Sequence, residues 1–159
     1  MHGSLLSAVL SLSILLSTLV AAQDTSYTFT TIDVPGSIST VATGINNRGQ
    51  IMGRFRDPAG GPDGLLIDGT TLTIIDVLGI TETTEANRIN DRGQIVGVFR
   101  DAAGGIHGFL TDGTTFTSID VPNATRFTQA FGINAVGQIV GFFGDDIGVL
   151  GVRGFVATP

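Results

Sequence analysis

The stretch "GINNRGQIMG" at residues 44–53 returns as "RINDRGQIVG" at 88–97 and as "GINAVGQIVG" at 132–141. The copies are spaced 44 residues apart in both cases, and several other phrases follow the same period. A repeat of fixed period is typical of architectures in which one supersecondary unit stacks on copies of itself. We therefore interpret the phrase first as part of a fold, and only second as a binding site present in three copies.

Each repeat is predicted to contain four β-strands. Asp68-Gly69, between two strand-like runs, indicates a tight hairpin, because such turns need a positive φ. Asn-x-x-Gly in the quoted phrase indicates a type I turn in which asparagine binds its own backbone and glycine tolerates the exit angle. The phrase is then a strand, a turn and a strand. The residues predicted to cap these turns and the adjoining strand pairs are Asn46, Asn90 and Asn134, with Gln50, Gln94 and Gln138.

The order of the phrases predicts that the structure closes on itself. Tyr27–Val34 has the pattern of a repeat's second strand, and Gly154–Thr158 has that of a first strand. Pairing of the two would hide the sheet edges. We predict an all-β fold of three four-stranded antiparallel repeats of 44 residues, circularly closed and β-propeller-like, with a β-trefoil or β-prism as the alternative. The repeat phrases occupy residues 28–67, 71–111 and 115–158.

The first 22 residues contain no Asp, Glu, Lys or Arg and are apolar from Leu5 to Val20. Such a segment is typical of a secretory signal peptide, here cut after Ala22, and the alternative is a retained single-span anchor. A single domain is then expected over residues 23–159. This composition predicts a secreted or cell-surface protein.

The amino-acid composition limits the classes of partner that this protein is expected to bind. Cysteine is absent, so disulfides contribute nothing to stability. Lysine is also absent, and the 8 arginines face 14 acidic residues, for a net charge of −6. Phosphate binding needs clustered positive charge, so we expect no nucleic acid partner. An extracellular polysaccharide or a surface partner remains compatible with this composition.

The repeated phrases resemble one known family. Asp-Gly-Thr-Thr-Phe-Thr-x-Ile-Asp-Val-Pro, then Gly-Ile-Asn-x-x-Gly-Gln-Ile-Val-Gly, then His-Gly-Phe-Leu is similar to the HAF-type repeats of bacterial extracellular proteins. The name-giving His-Ala-Phe triplet is approached only at residues 107–109, where the sequence reads His-Gly-Phe. The resemblance implies a secreted or cell-surface bacterial protein, a propeller-like β architecture and no established catalytic role.

Enzymatic hypotheses are limited by the residues present. Thiol nucleophiles and Schiff bases are excluded, and beyond the presumed signal His107 is the sole histidine, which weakens serine hydrolase and zinc hypotheses. A pseudo-threefold axis could bring three equivalent carboxylates together for acid/base work on a sugar. That alternative names Asp33, Asp76 and Asp120 as catalytic. The balance is against an enzyme, since a residue present in every repeat more often serves the turn or strand beside it.

The loop after the fourth strand is the predicted functional edge. One of its positions is aspartate in every repeat, and another carries three different chemistries, as a binding rim does. The binding candidates are Asp57, Asp101, Asp63, His107 and Arg153. A calcium loop would show several oxygen ligands at alternate positions. No cofactor is therefore expected unless it is calcium, for which Asp145 and Asp146 are the best pair.

Three phenylalanines occur only in the third repeat, at Phe127, Phe131 and Phe142. They indicate a self-association face, so we expect a homo-oligomer and consider a dimer first. The functional prediction is a secreted, non-catalytic repeat domain that acts as an extracellular binding or structural, self-assembling module. The alternatives are a small carbohydrate-active enzyme and a calcium-dependent adhesin.

Overall fold

The structure is a computed structural model that describes residues 26–58, 62–76, 83–145 and 151–159. One compact body spans Thr31–Pro159. The other spans Met1–Thr30, of which residues 26–30 are described as exposed and without helix or strand. The predicted signal peptide, residues 1–22, lies outside the described residues. Over the four described ranges, no helix is long and apolar enough to cross a membrane.

All regular structure in the described residues is β, which confirms the predicted class. The strands form three antiparallel meanders, here called modules 1, 2 and 3. Module 1 comprises β1 (Ser39–Ile45), β2 (Ile51–Arg56), β3 (Pro62–Asp68) and β4 (Thr71–Ile75). Module 2 comprises β5 (Thr83–Ile89), β6 (Ile95–Arg100), β7 (Ile106–Thr111) and β8 (Phe116–Ile119), and module 3 comprises β9 (Phe127–Ile133), β10 (Ile139–Asp145) and β11 (Gly151–Ala157).

The modules form two sheets, neither of them closed. Module 1 is a four-stranded sheet, and modules 2 and 3 form a seven-stranded sheet. A single parallel pair, Ile106 with Phe127, joins modules 2 and 3, so the sheet is mixed. The prediction of three closed, four-stranded antiparallel repeats is therefore wrong, and neither the propeller-like closure nor the β-trefoil or β-prism alternative is observed.

The two segments predicted to close the structure are not paired with each other. Residues 26–34 form no strand, and β11 pairs only with β10 among the described strands. Val34, the last residue of this stretch, packs against Phe55 and Leu65 of module 1. The Val34 carbonyl also accepts the N–H of Ser37 at 3.0 Å, which turns the chain into β1. The sequence phrase at residues 28–33 thus precedes module 1 without forming the predicted strand.

The Asn-x-x-Gly turn is confirmed. In the first copy the Asn46 carbonyl accepts the Gly49 N–H at 3.0 Å, and Gly49 has a φ of 78°, which L side chains rarely adopt. The Asn46 side-chain oxygen accepts the N–H groups of Arg48 and Gln50, both at 3.0 Å. The same bonds recur at Asn90 and Asn134. The quoted phrase is therefore a self-contained structural element.

Successive turns are also linked to one another. The Asn46 amide nitrogen donates to the Asn90 carbonyl at 3.1 Å, and the Asn90 amide donates to the Asn134 carbonyl at 3.0 Å. Asn47 adds two bonds to the Asp91 carboxylate, from its backbone and from its side chain. These bonds, which we call the asparagine ladder, hold equivalent points of neighbouring modules in register.

Each module packs on the next through two sets of side chains. We call the side facing the next module the forward face and the side facing the preceding module the back face. The core between modules 1 and 2 joins Met52, Leu66 and Ile75 to Ala86, Ile89, Ile95, Phe99 and Phe109. The core between modules 2 and 3 joins Val96, Leu110 and Ile119 to Ala130, Ile133, Ile139, Phe155 and Ala157.

Candidate functional site

The loop that follows β6 is built around Asp101. Its side chain accepts the N–H groups of Ala103 at 2.9 Å and Gly105 at 2.7 Å, and its carbonyl accepts the N–H of Gly104 at 3.0 Å. The Gly105 bond is the main cause that lowers the pKa of Asp101 below its ordinary value. The aspartate at this loop position therefore shapes its loop, in addition to facing the residue on the adjoining strand.

That residue is His107, which the fold places between two carboxylates. Its Nδ1 lies 2.8 Å from an oxygen of Asp120, and its Nε2 lies 3.2 Å from an oxygen of Asp101. Its ring stacks on Phe99 with centroids 5.1 Å apart. Ser118 donates its hydroxyl to the other oxygen of Asp120. Ionised carboxylates only accept hydrogen bonds, so the doubly protonated imidazolium is the form that suits both contacts.

Electrostatics agree with the geometry. Partial burial opposes the charged form of His107, but the hydrogen bonds and charges of Asp120 and Asp101 outweigh it and raise the pKa above its ordinary value. Both ring nitrogens are engaged, and the Ser118 hydroxyl reaches Asp120, not the imidazole. This arrangement binds a proton and fixes a loop, and it lacks the nucleophile–base contact that serine hydrolysis requires.

A cleft of about 400 Å³ opens beside this group. The residues that line it include His107, Asp101, Asp120, Arg126 and Phe127. The cleft thus carries both signs of charge together with an aromatic ring. It is the place where a ligand of the predicted binding edge would contact module 2.

Module 1 has three carboxylates at the corresponding positions. Partial burial, followed by the charges of Asp76 and Asp57, raises the pKa of Asp63. Asp63 therefore lies near both other aspartates, as His107 lies near Asp101 and Asp120. In the part of the chain that the structure describes, no group of three or more His, Cys, Asp or Glu side chains is arranged to hold a metal ion.

Module 3 carries arginine at this position. Arg153 contacts the carboxylate of Asp145 at 3.1 Å, and the Asp145 side chain is 3 % exposed while that of Arg153 is 55 % exposed. Asp146, the second residue of the predicted calcium pair, lies outside the described residues. Asp145 thus has a cationic partner within the chain.

The three candidate catalytic aspartates have separate environments. Asp33 accepts the hydroxyl of Thr40 at 3.3 Å, and Asp76 accepts that of Thr84 at 3.4 Å. Asp120 forms hydrogen bonds with His107 and Ser118. Among the described residues, no hydrogen bond joins two of these aspartates. The common centre that the sugar-cleavage hypothesis needs is therefore not among the contacts formed.

The three phenylalanines of module 3 do come together. Phe131 stacks on Phe142 with centroids 5.2 Å apart, and Phe127 meets Phe142 edge to face at 5.9 Å. The strand pairing places Phe127 and Phe142 on the forward face of module 3, while Phe131 occupies the bulge of β9. The equivalent bulge residues in modules 1 and 2, Thr43 and Asn87, donate to carbonyls of the next module.

The forward face of module 3 is uncovered in the described chain. Met52 and Val96, at matching positions of modules 1 and 2, are each 0 % exposed, whereas Val140 is 47 % exposed. The neighbouring side chains Phe131, Val152 and Val156 are also exposed. Exposed apolar patches are typical of interaction surfaces.

The back face of module 1 is uncovered near the asparagine ladder. Ile45 is 69 % exposed, while its counterpart Ile89 is 6 % exposed against module 1. Ala42 is exposed as well, in contrast to Ala86 and Ala130 at the same position. Phe55 and Leu65 on the same face are buried with Val34, so the uncovered part of the back face is the region around Ile45 and Ala42.

Reasoning from the sequence identified the phenylalanines but missed Val140, Val152, Val156 and Ile45. The alternation of apolar and polar residues along the strands indicates that these side chains lie on one face of a sheet. Whether that face is exposed at an end of the array depends on whether the structure closes, which the alternation does not show. Comparison with protein-family models, with curated proteins and with solved structures found no match.

Proposed function

We propose that the chain is a non-catalytic, extracellular structural module that assembles with copies of itself. The forward face of module 3 in one copy packs on the back face of module 1 in the next. The observation that carries this proposal is the exposure of Val140, whose equivalents Met52 and Val96 are completely buried by the following module. The apolar, charge-free composition of residues 1–22 supports export.

The proposed contact is head-to-tail, because it joins two different surfaces. It reuses the geometry of the existing interfaces between modules, including the asparagine ladder. Asn134 binds Gln138 through its amide nitrogen, and its second N–H would reach the Asn46 carbonyl of the next copy, as Asn46 and Asn90 reach their neighbours. Continuity with these internal interfaces supports a second copy as the partner.

Charge substitution tests the proposal. We expect the unaltered protein to have a mass of two or more chains in sedimentation or light scattering, and Val140→Asp and Ile45→Asp to have that of one chain. Val41→Asp is the matched control, since Val41 is 43 % exposed and pairs with Arg54 on the forward face of module 1, which takes no part in the proposed contact. It should associate like the unaltered protein.

Mixing the two variants shows whether the contact is head-to-tail. Val140→Asp keeps an intact module 1 face, and Ile45→Asp keeps an intact module 3 face. An equimolar mixture should therefore form a species of two chains, although neither variant associates alone. A single-chain mass for the unaltered protein at every concentration would overturn the proposal.

The cleft beside His107 supports a second candidate function, binding of an extracellular polysaccharide. Its carboxylates and Arg126 supply hydrogen-bonding groups for hydroxyls, and Phe127 supplies an apolar surface. A glycan-binding panel with His107→Gln as the comparison tests it. Equal retention of every glycan by both proteins would exclude this role, and sugar release would revive the carbohydrate-active alternative.

A further inference from the structure

We propose that residues 28–33 of one copy form the missing fourth strand of module 3 in a second copy, where Asp33 pairs with Arg153. This inference rests on the proposed self-assembly and specifies how it is completed. The open side of β11 would then pair with a defined segment of another chain.

The edge of β11 is open in the described chain. In module 1, β3 pairs with β2 on one side and with β4 on the other, and in module 2, β7 pairs in the same way with β6 and β8. In module 3, β11 pairs with β10 alone among the described strands. One row of backbone hydrogen-bonding groups is thus available for a further strand.

A suitable strand sequence is present at residues 28–33. "TFTTID" is the counterpart of "TLTIID" at 71–76 and "TFTSID" at 115–120, which supply β4 and β8. Residues 28–31 are exposed, and Phe29 is 92 % exposed. The segment therefore has the sequence of a fourth strand but is not paired with another strand.

The register follows from the complete modules. Gly64 pairs with Ile75, and Gly108 pairs with Ile119. The same register places Ile32 of one copy opposite Gly154 of the other, with Thr30 opposite Val156. Asp33 then lies beside Arg153, as Asp120 lies beside His107.

The segment before β1 already has the geometry of a link between modules. The Val34 N–H donates to the Thr40 hydroxyl at 3.1 Å, and the Val121 N–H donates to the Thr128 hydroxyl at 3.1 Å. In module 3 this link arrives from β8 of the preceding module. Module 1 has the same link, and the phrase at residues 28–33 occupies the sequence position of the strand that precedes such a link.

Charge complementarity favours the pairing. In module 2 the cationic residue contacts two carboxylates, Asp101 and Asp120. In module 3 Arg153 contacts Asp145 and keeps a side chain that is 55 % exposed. A second carboxylate from Asp33 would reproduce the arrangement of module 2, and Arg can bind both.

The space at Gly154 is consistent with a missing strand. A Cβ on Gly64 would lie 2.7 Å from the Ile75 carbonyl oxygen, and one on Gly108 would lie 3.0 Å from that of Ile119. A Cβ on Gly154 meets nothing closer than the Gly141 oxygen at 3.7 Å. The glycine is thus placed where a strand carbonyl would approach it.

Disulfide trapping between two singly substituted chains tests the proposal, because the natural chain has no cysteine. Thr30→Cys protein is mixed with Val156→Cys protein and oxidised, so that a heterodimer can arise only between copies. We expect the yield of this disulfide-linked heterodimer to be at least ten-fold higher than the yield obtained with Thr30→Cys and Val152→Cys. The latter is out of register on the same strand face, and Val152 is 63 % exposed, similar to Val156 at 67 %.

Charge exchange provides a second readout. Asp33→Arg should weaken association about five-fold, the scale of a partly exposed ion pair, whereas Asp33→Glu, which keeps the carboxylate, should associate like the unaltered protein. Equal trapping at 156 and 152, or none, overturns strand donation. If Val140→Asp still abolishes association in that case, the proposed self-assembly stands without it, and if the unaltered protein never associates, both fail.

Discussion

The asparagine ladder makes a position-dependent stability prediction. Asn90→Ala should destabilise the chain much more than Asn134→Ala, although the two residues occupy the same place in the repeat. Asn90 is 5 % exposed and its side chain makes four hydrogen bonds, one of them to the Asn134 carbonyl of the next module. Asn134 is exposed and makes three, all within its own turn.

The magnitude follows from these bonds. A buried hydrogen bond contributes about 1 kcal/mol net, and exposed groups regain most of this from water. We therefore expect Asn90→Ala to lower the free energy of unfolding by about 2 to 4 kcal/mol and Asn134→Ala by about 1 kcal/mol. Asn90→Asp, which keeps the acceptor oxygen but loses both donors, should fall between them at about 1 to 2 kcal/mol.

Urea unfolding followed by circular dichroism measures these differences. All variants would also carry Val140→Asp, so that association adds nothing to the stability of module 3. The midpoint should shift with an unchanged slope. Losses at Asn90 and Asn134 that agree within about 0.5 kcal/mol would refute the reasoning, because the inter-module bond would then contribute nothing measurable.

Two further predictions concern His107 and the strand glycines. Because the folded pKa of His107 is raised above its ordinary value of 6.5, the stability from its protonation is complete below pH 6.5 and is lost as pH rises through the folded pKa. The urea midpoint should therefore fall as the pH is raised from about 6.5, and the same slope in His107→Gln would contradict this. Gly97→Ala should cost about 3 kcal/mol in thermal melts, since its Cβ would clash with the Glu85 carbonyl oxygen and the Phe109 ring. Gly154→Ala, measured with Val140→Asp, should change stability by less than about 0.5 kcal/mol, and comparable losses at the two glycines would argue against the described pairing.

Local features were predictable from the sequence, and their outcome depended little on the rest of the chain. The Asn46 turn is decided within five residues, by a side chain that binds its own backbone and a glycine with positive φ. The hairpin at Gly69 is also decided locally, by a glycine with a φ of 59°. Both were therefore readable from residue type and spacing.

Closure was not predictable in this way. Val34 turns into β1 as Val121 turns into β9, so this turn is compatible with a paired strand before it. Whether residues 28–33 pair with β11 of the same chain depends instead on where stacked modules place the two ends of the chain, and the strand propensity of the segment does not determine this. The end faces and their exposed residues, Val140 and Ile45, follow from the absence of closure and were missed with it.

The contacts of His107 could not be predicted from the sequence. They join it to Asp101 and Asp120 and depend on the register that pairs Gly108 with Ile119. That register is a long-range property. The hydrogen-bond partners of Asp33, Asp76 and Asp120, which are hydroxyls and in one case the histidine, were likewise not predictable from the sequence.

The asparagine ladder also bears on how such a chain grows. Asn46 and Asn90 each bind the equivalent carbonyl one period further along, and the forward faces of modules 1 and 2 meet equivalent back faces, so each of these contacts joins a module to its immediate neighbour. Duplication of one whole period adds a module with both faces covered and leaves every existing bond in place. A shorter or longer duplication breaks the ladder. Forty-four residues is thus the smallest heritable step by which this architecture lengthens.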